Sequence, residues 1–168
     1  VRRHQAGVRR CAARILSDVE EARDVAQLAF IRAWEHLAKY DPAWSFSTWL
    51  YRIATNLAID MLRSRDSRDR THVAHLRLVG DSVNASAPSD LAEDEVKRIF
   101  AELARDLSPT QRAAFVLREV EGLDTSEVAT VLGCSEATVR NHVFQARVVL
   151  KKQLVARYPE YLPRGGGR

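Results

Sequence analysis

The side chains best suited to acting on another molecule lie in residues 136–152 of this 168-residue chain. A buried helical face, with spacings of four, three and four residues, is predicted for Val139, Val143, Ala146 and Leu150. The other sides of the same helix carry Arg140, Asn141, Phe144, Gln145 and Arg147. Arginine can pair with guanine edges, asparagine and glutamine with adenine, and an exposed phenylalanine can press on a thymine methyl group. The segment therefore predicts a helix that enters the major groove of DNA.

The residues before this helix have the spacing of a helix-turn-helix. Ala129 is small, as required where two helices touch, and Gly133 follows four positions later, where the turn needs a positive φ. Val139, six positions further on, is the buried aliphatic residue of the second helix. Asp124 and Ser135 are placed to cap the two helices. Several positions that match the helix-turn-helix pattern together indicate the motif more strongly than any single match. The motif predicts binding to DNA.

Charge is distributed unevenly, although the net charge is only +4. Residues 61–77 carry five arginines against two aspartates, residues 81–106 carry seven acids against three bases, and residues 136–152 carry four bases against one acid. The two basic segments either increase solubility alone or make two separate contacts with one nucleic acid. The helix-turn-helix favours contact with a nucleic acid. Lys151 and Lys152, on the last helical turn, either bind phosphate or complement the helix dipole.

These side chains require helices to position them, and the apolar periodicity together with the capping signals predicts seven. Apolar stripes mark residues 8–15, 22–37, 50–61, 96–103 and 139–150. Ser108 and Gln111 can form a capping box around Pro109 at the start of the fifth helix. Trp34 and Trp49 are expected in the core. No segment alternates with a period of two, so the expected fold class is all-α.

A break in composition divides the helices into two groups. Residues 80–90 (GDSVNASAPSD) are rich in Gly, Ser, Asn, Asp and Pro and carry no apolar stripe. We therefore expect two small helical domains joined by a flexible acidic linker.

Several classes of function are not supported by the sequence. No apolar run approaches the roughly 18 residues that cross a bilayer, and the N-terminal residues lack the apolar core of a signal peptide, so a cytoplasmic protein without membrane insertion is expected. Cys11 and Cys134 are interpreted as buried, inert thiols. His72 and His75 are interpreted as a solvated pair rather than metal ligands. No phosphate-binding loop and no catalytic set occurs, so neither a metal, a cofactor nor an enzymatic activity is expected.

The chain resembles bacterial RNA polymerase sigma factors of the sigma-70 class, in the extracytoplasmic-function (ECF) group that keeps only the second and fourth sigma domains. The resemblance covers almost the whole chain and rests on ARDVAQLAF (22–30), FSTWLYRIATN (46–56) with Asp60 and Arg63, and residues 107–150. It implies sigma domain 2 at 1–70, a linker with a leading helix at 71–104, sigma domain 4 at 105–157 and a tail at 158–168.

The resemblance implies that the second motif recognises and melts the minus-10 promoter element. Arg52, Asn56 and Arg63 form a polar stripe on the predicted third helix, which suits a DNA backbone. The preceding loop, with Trp44, would capture a base flipped out of the non-template strand. The alternative for Trp44 is packing against its own domain.

The resemblance also implies protein partners. Asp24, Val25, Gln27 and Phe30 would bind core RNA polymerase at the clamp helices of its largest subunit. Periodicity gives Val25 and Phe30 a packing role instead, which leaves Asp24 and Gln27 as the better interface candidates. An anti-sigma protein is a further expected partner.

The resemblance makes the helix of residues 136–150 the reader of the minus-35 element, through Arg140, Asn141, Phe144, Gln145, Arg147 and Lys151. Many relatives carry Ser, Arg and Arg where this chain has Asn141, His142 and Gln145, so the DNA sequence that is recognised stays open. The main alternative is a polymerase-independent helix-turn-helix regulator whose N-terminal domain dimerises or receives a signal. A nucleic-acid enzyme is a second alternative, but it would need a catalytic set that the sequence lacks.

Overall fold

The computed structural model describes residues 2–72 and 91–161, with side chains described for residues 4–68 and 94–161. Seven α-helices are present in these ranges: α1 (Arg2–Leu16), α2 (Val19–Glu35), α3 (Phe46–His72), α4 (Leu91–Leu103), α5 (Pro109–Phe115), α6 (Thr125–Leu132) and α7 (Glu136–Arg157). No β-strand occurs in the described residues, which agrees with the predicted all-α class. None of the described helices is both long and apolar enough to cross a membrane. The irregular segment predicted at 80–90 lies outside the described residues.

Helices α1, α2 and α3 pack against one another as an N-terminal unit. Its core includes Val8, Ile15 and Leu50, each at most 1% exposed. Helix α2 contributes mostly small side chains, because its buried residues are Ala22, Val25, Ala26, Ala29 and Ala33. Cys11 is buried in the same core, and this burial raises the pKa of its thiol, which therefore stays protonated.

The prediction that Trp34 belongs to the core is wrong, because 80% of this residue is exposed. The apolar stripe in the sequence is wider than the face that α2 buries, and the partly buried Phe30 marks the edge of that face. Trp34 lies one helical step, about 100°, beyond the buried Ala33 and so points past this edge. Trp49 packs against the core cluster, as predicted.

Helices α6 and α7 form the predicted helix-turn-helix in the C-terminal unit. They meet at Gly133, whose φ of 65° lies in the left-handed region. The side chain of Asp124 accepts a hydrogen bond from the amide of Glu127 at 2.8 Å, and Ser135 Oγ accepts one from the amide of Thr138 at 3.1 Å. Both predicted caps are therefore confirmed, and they fix where the two helices begin.

Helix α4, which lies within the predicted linker segment 71–104, contacts α5 and α7. The rings of Phe100 and Phe115 are stacked, with centroids 5.8 Å apart. Phe100 also packs against a small buried cluster formed by Ala104 and Leu107, which follow α4, and Ala146 of α7. The predicted capping box at the start of α5 is present, since Ser108 and Gln111 exchange hydrogen bonds of 3.1 and 3.2 Å.

A π-helical turn, Val116–Val120, follows α5 and was not predicted by any sequence pattern. The amide of Glu121 donates to the carbonyl of Val116 at 2.9 Å, which closes the wider turn. Gly122 then takes a φ of 75° and directs the chain toward α6. This turn ends at Glu121, whose carboxylate accepts a hydrogen bond from Arg14 of the N-terminal unit.

The two units pack directly against each other. Helix α6 lies on α3, and α5 contacts both α1 and α3. Buried residues from both units, including Leu50, Leu117 and Val128, belong to one continuous core cluster. The sequence predicted two domains joined by a linker, but it did not predict this shared core.

Candidate nucleic-acid interfaces

Helix α7 presents the predicted base-contacting side chains to solvent. Its buried residues are Val139, Val143 and Ala146, as the 4, 3 spacing predicts. Residues on the remaining faces are exposed, among them Arg140, Asn141, Phe144 and Gln145. Phe144 is 62% exposed, which is unusual for a large apolar side chain and suits contact with a thymine methyl group. The helix therefore has one face fixed by the core and another free to enter a groove.

Two arginines of this helix are held by ion pairs within the C-terminal unit. Arg140 lies 3.3 Å from Glu136, one turn earlier on the same helix. Arg147 lies 2.7 Å from Glu119, in the π-helical turn. The side chains of both arginines are more than 60% exposed, so the pairs add little stability. The carboxylates orient the guanidinium groups of the two arginines. DNA phosphates can replace these carboxylates with only a small loss of free energy.

Lys151 lies at the border between this polar face and an apolar groove. Its side chain lines the groove together with Val96, Leu154 and Tyr161, while the residue as a whole is exposed. The methylene stem covers apolar surface and the ammonium group reaches water, which leaves it available to a phosphate. Both alternatives for Lys151, phosphate contact and helix-dipole complement, are compatible with this position.

The predicted polar stripe of α3 is exposed along its length. Arg52, Asn56 and Arg63 all lie on the surface, whereas Leu50 and Leu57 are buried on the opposite face. The stripe therefore presents two guanidinium groups and an amide on one side of a single rigid helix, as contacts with a nucleic-acid backbone require.

The loop before α3 is shaped by its own hydrogen bonds. The side chain of Asp41 accepts a bond from the amide of Ala43 at 2.9 Å, and the hydroxyl of Tyr40 donates to the carbonyl of Trp44 at 2.7 Å. Ser45 Oγ accepts a bond from the amide of Thr48 at 3.1 Å and so caps α3. These bonds fix the position of Trp44 relative to the helix.

Trp44 opens onto a cavity of about 190 Å³. The cavity is lined by Lys39, Asp41, Trp44, Trp49, Arg52 and Thr130. Trp44 is 42% exposed, so it neither packs fully against its own domain nor projects freely into solvent. The indole rings of Trp44 and Trp49 can stack on a nucleic-acid base, and the nearby cations of Lys39 and Arg52 can bind its phosphate. Thr130 comes from α6, so the C-terminal unit forms one wall of this cavity.

The predicted polymerase-binding residues of α2 do not share one environment. Asp24 and Gln27 are exposed, Phe30 is partly buried against the core, and Val25 is completely buried. Burial of Val25 favours the packing alternative for this residue. The four side chains are therefore not brought together on one accessible surface.

Helix α2 also carries an exposed apolar strip that was not predicted from the sequence. Leu28, Ile31 and Trp34 are 45%, 46% and 80% exposed. They recur every three residues outside the alanine face, and this spacing next to Asp24 and Gln27 was the available signal. An exposed apolar strip with polar neighbours is typical of a protein-binding surface.

Comparison with known proteins accounts for both units. Residues 1–68 match the family model for sigma-70 region 2, and residues 97–150 match the model for sigma-70 region 4. The chain is 36% identical over 148 residues to the RNA polymerase sigma-H factor of Pseudomonas aeruginosa, covering 84% of this chain and 77% of that relative. It is 34% identical over 151 residues to the ECF RNA polymerase sigma factor SigW of Bacillus subtilis, covering 84% and 79%.

A solved structure shares the fold of the described helices. The sigma factor RpoE from Bartonella quintana, crystallised with the anti-sigma factor NepR, aligns with a TM-score of 0.69 at 22% identity. The alignment covers 91% of this chain and 92% of that one. The likeness concerns the fold, and it extends over both helical units.

Proposed function

This chain belongs to the sigma-70 family of bacterial RNA polymerase sigma factors, within the ECF group, and we propose a role for each of its exposed surfaces. As a sigma factor it binds core RNA polymerase and directs initiation at promoters. It makes and breaks no bonds, because the polymerase supplies the chemistry. A protein that acts on bacterial RNA polymerase works in the cytoplasm, and we place this chain there.

Recognition of the minus-35 element falls to α7. The observation that carries this assignment is the exposure of Arg140, Asn141, Phe144 and Gln145 directly after a capped turn. Residues near the start of a recognition helix lie deepest in the major groove. Arg147 and Lys151, further along the helix, contact phosphates and set the register.

Recognition and melting of the minus-10 element fall to α3 and its preceding loop. Arg52, Asn56 and Arg63 follow the backbone of the DNA, while Trp44 stacks on a base extruded from the non-template strand. Unstacking a base costs a few kcal/mol, and stacking on an aromatic side chain returns about 1–3 kcal/mol. The cavity beside Trp44 supports this assignment, because it joins aromatic and cationic groups.

Core polymerase binds the exposed face of α2, in this proposal. Asp24 and Gln27 supply polar contacts, Phe30 lies at the edge, and the apolar strip of Leu28, Ile31 and Trp34 supplies the buried area. An aromatic residue as exposed as Trp34 is suited to be the anchor of such an interface. Val25 supports this surface from the core beneath it.

An anti-sigma protein is the remaining proposed partner. The structural relative from Bartonella quintana was crystallised with one, and its fold matches this chain over both units. Such a partner would hold the free chain away from polymerase until a signal releases it.

Reconstitution with purified core polymerase tests the proposed function. The chain is expected to co-migrate with core polymerase and to yield transcripts from a promoter library whose members share two upstream motifs. A chain that ignores core polymerase but binds duplex DNA tightly by itself would instead support the stand-alone regulator.

A further inference from the structure

A single acidic residue stands at the start of the recognition helix. Residues 136–152 carry four basic residues and one acid, Glu136, which is the first residue of α7. Its side chain is 51% exposed, so packing in the core does not account for it. A carboxylate that approaches DNA is repelled by the phosphates, and the first turn of a recognition helix lies deep in the major groove. Glu136 therefore lowers the affinity of the helix for DNA in general, which leaves selection among bases as its possible contribution to recognition.

The backbone that carries Glu136 is held by the turn before it. Ser135 Oγ accepts a hydrogen bond from the amide of Thr138 at 3.1 Å and lies 2.9 Å from the hydroxyl oxygen of the same residue. Gly133, two residues before Ser135, takes the left-handed conformation that ends α6. Glu136 thus projects from a capped first turn, and little backbone entropy is lost when its side chain meets a base.

Glu136 also forms an ion pair with Arg140 on the same face of α7. Nη1 of Arg140 lies 3.3 Å from Oε2 of Glu136. A carboxylate has about four acceptor positions on its two oxygens and a guanidinium has five N–H donors, so this contact leaves both groups able to bind bases. The two residues are about 6 Å apart along the helix axis, which is less than two base-pair steps of about 3.4 Å. The pair can therefore read neighbouring base pairs.

An ionised carboxylate only accepts hydrogen bonds, and this property selects among the bases. In the major groove cytosine offers its N4 amino group, whereas guanine offers only acceptors and thymine offers an acceptor and a methyl group. Adenine offers its N6 amino group, but the N7 acceptor beside it repels the second carboxylate oxygen. Glu136 is therefore matched to cytosine, while Arg140 is matched to O6 and N7 of guanine.

We propose that Glu136 is a specificity-determining residue whose carboxylate accepts a hydrogen bond from N4 of a cytosine in the minus-35 element, an assignment that rests on the proposed role of α7. This cytosine lies within two base pairs of the guanine that Arg140 reads. Arg140 offsets part of the repulsion between Glu136 and the phosphates, since its charge lies 3.3 Å from the carboxylate. Glu136 thus gives up general affinity for DNA and gains discrimination at one base pair.

Two other roles for Glu136 predict different outcomes. A residue that only complements the helix dipole would affect the stability of α7 and leave the base preference unchanged. A positioning residue for Arg140 would affect the preference for guanine and leave the preference for cytosine unchanged. Base preference measured position by position distinguishes these roles from direct contact with cytosine.

Binding of holoenzyme to a promoter library with a randomised minus-35 element tests the proposal. Wild-type holoenzyme is expected to select cytosine about tenfold over each other base at one position, within two base pairs of a selected guanine. Selection of a minus-35 element without such a cytosine would overturn the proposal and leave the assignment of α7 to this element intact. If no upstream element is selected at all, the proposed function of α7 fails, and the role of Glu136 fails with it.

Glu136→Gln is the first variant to compare with wild type. The glutamine amide has nearly the same shape as the carboxylate but adds a donor, so it can bind N6 and N7 of adenine together. At the cytosine position, the preference for cytosine over adenine should fall about tenfold, while the preference at the guanine position is retained. An unchanged preference at the cytosine position would overturn the proposal. A loss confined to the guanine position would also overturn it and make Glu136 a positioning residue for Arg140.

Glu119→Gln is the matched control. Glu119 is also paired with an arginine of α7, since Arg147 lies 2.7 Å from it, but it belongs to the π-helical turn outside the recognition helix. This variant should change binding about equally for all sequences, because Arg147 is assigned to a phosphate contact. An equal loss of cytosine preference in Glu119→Gln and Glu136→Gln would assign the effect to overall charge and overturn the proposal.

Glu136→Asp separates loss of the acceptor from disturbance of the helix. Aspartate keeps the charge and both acceptor oxygens on a shorter side chain, so this variant should bind more weakly but still prefer cytosine to adenine. A shift toward adenine in Glu136→Asp as large as that in Glu136→Gln would overturn the proposal, because the acceptor is still present. Circular dichroism of each variant verifies that its helix content is retained.

Discussion

The carboxylate of Glu121 lies 2.5 Å from the guanidinium of Arg14, although 107 positions of sequence separate them. Each residue belongs to a different helical unit, and each unit matches a different sigma-70 region. The contact is buried on the Glu121 side, so it is an internal ion pair of the folded chain. It places the two proposed DNA-binding surfaces in one compact body.

Replacement of Gly133 by alanine should destabilise the C-terminal unit by about 1 kcal/mol or somewhat more, because its φ of 65° is unfavourable for any residue with a Cβ atom. The space itself is sufficient, since the nearest atom to an added Cβ would be 3.9 Å away. Urea denaturation measures the effect. Gly122→Ala, at a φ of 75° and with no atom within 4 Å, should give a similar loss. A stabilised Gly133→Ala variant would show that the turn is not held in this conformation.

Arg140→Ala should weaken binding of holoenzyme to its minus-35 element by about tenfold to a hundredfold, which corresponds to about 1–3 kcal/mol for a bidentate base contact. The loss should depend on the base pair at one position of the element. Arg157→Ala removes the same charge from the far end of α7, where Arg157 lies 3.2 Å from Glu102, and should have little effect. Equal losses in both variants would indicate non-specific charge attraction. Filter binding over a series of mutated promoters gives both values.

Lys151→Ala should weaken DNA binding about equally for all sequences if this residue contacts a phosphate. The slope of log K against log salt should then become less negative by about 0.9. An unchanged slope would favour the alternative in which Lys151 only complements the helix dipole. Titrations at four salt concentrations with a fixed promoter fragment distinguish the two.

Trp44→Ala and Trp34→Ala should separate promoter melting from polymerase binding. Loss of Trp44 removes a stacking contact of about 1–3 kcal/mol, so open-complex formation should fall while co-migration with core polymerase is retained. Loss of the exposed Trp34 should weaken co-migration, because it removes the anchor of the apolar strip. Permanganate footprinting of the melted region and size-exclusion chromatography report the two properties. Identical behaviour of both variants would contradict the separate assignments.

The two cysteines should react with a thiol reagent at very different rates. Burial raises the pKa of the Cys11 thiol, and Glu121 contributes in the same direction, so this residue should react only on unfolding. Cys134 is only partly buried, which corrects the interpretation of this thiol as buried and inert, and its raised pKa should slow its reaction without preventing it. Absorbance during reaction with an aromatic disulfide at pH 8 should show one reactive thiol in the native protein and two in urea. Two fast thiols in the native protein would contradict the burial of Cys11.

The sequence alone determined the elements whose causes are local. Caps at Asp124 and Ser135, the left-handed turn at Gly133 and the buried stripe of α7 all depend on residues within one or two helical turns. The motifs also indicated the family, because they lie in the same order along the chain. The apolar stripe of α2 is wider than the face that the helix buries, so the prediction that Trp34 belongs to the core was wrong.

Only the tertiary structure decided how far each stripe is covered and how the units meet. Exposure of Trp34, at the end of the apolar stripe of α2, depends on which neighbouring helices lie against α2, and the sequence of α2 does not contain that information. The Glu121–Arg14 pair likewise depends on a π-helical turn and on packing between distant segments. Local rules act over a few residues, whereas contacts between separate units follow from the shapes and charges of complete surfaces, and these exist only once the chain has folded.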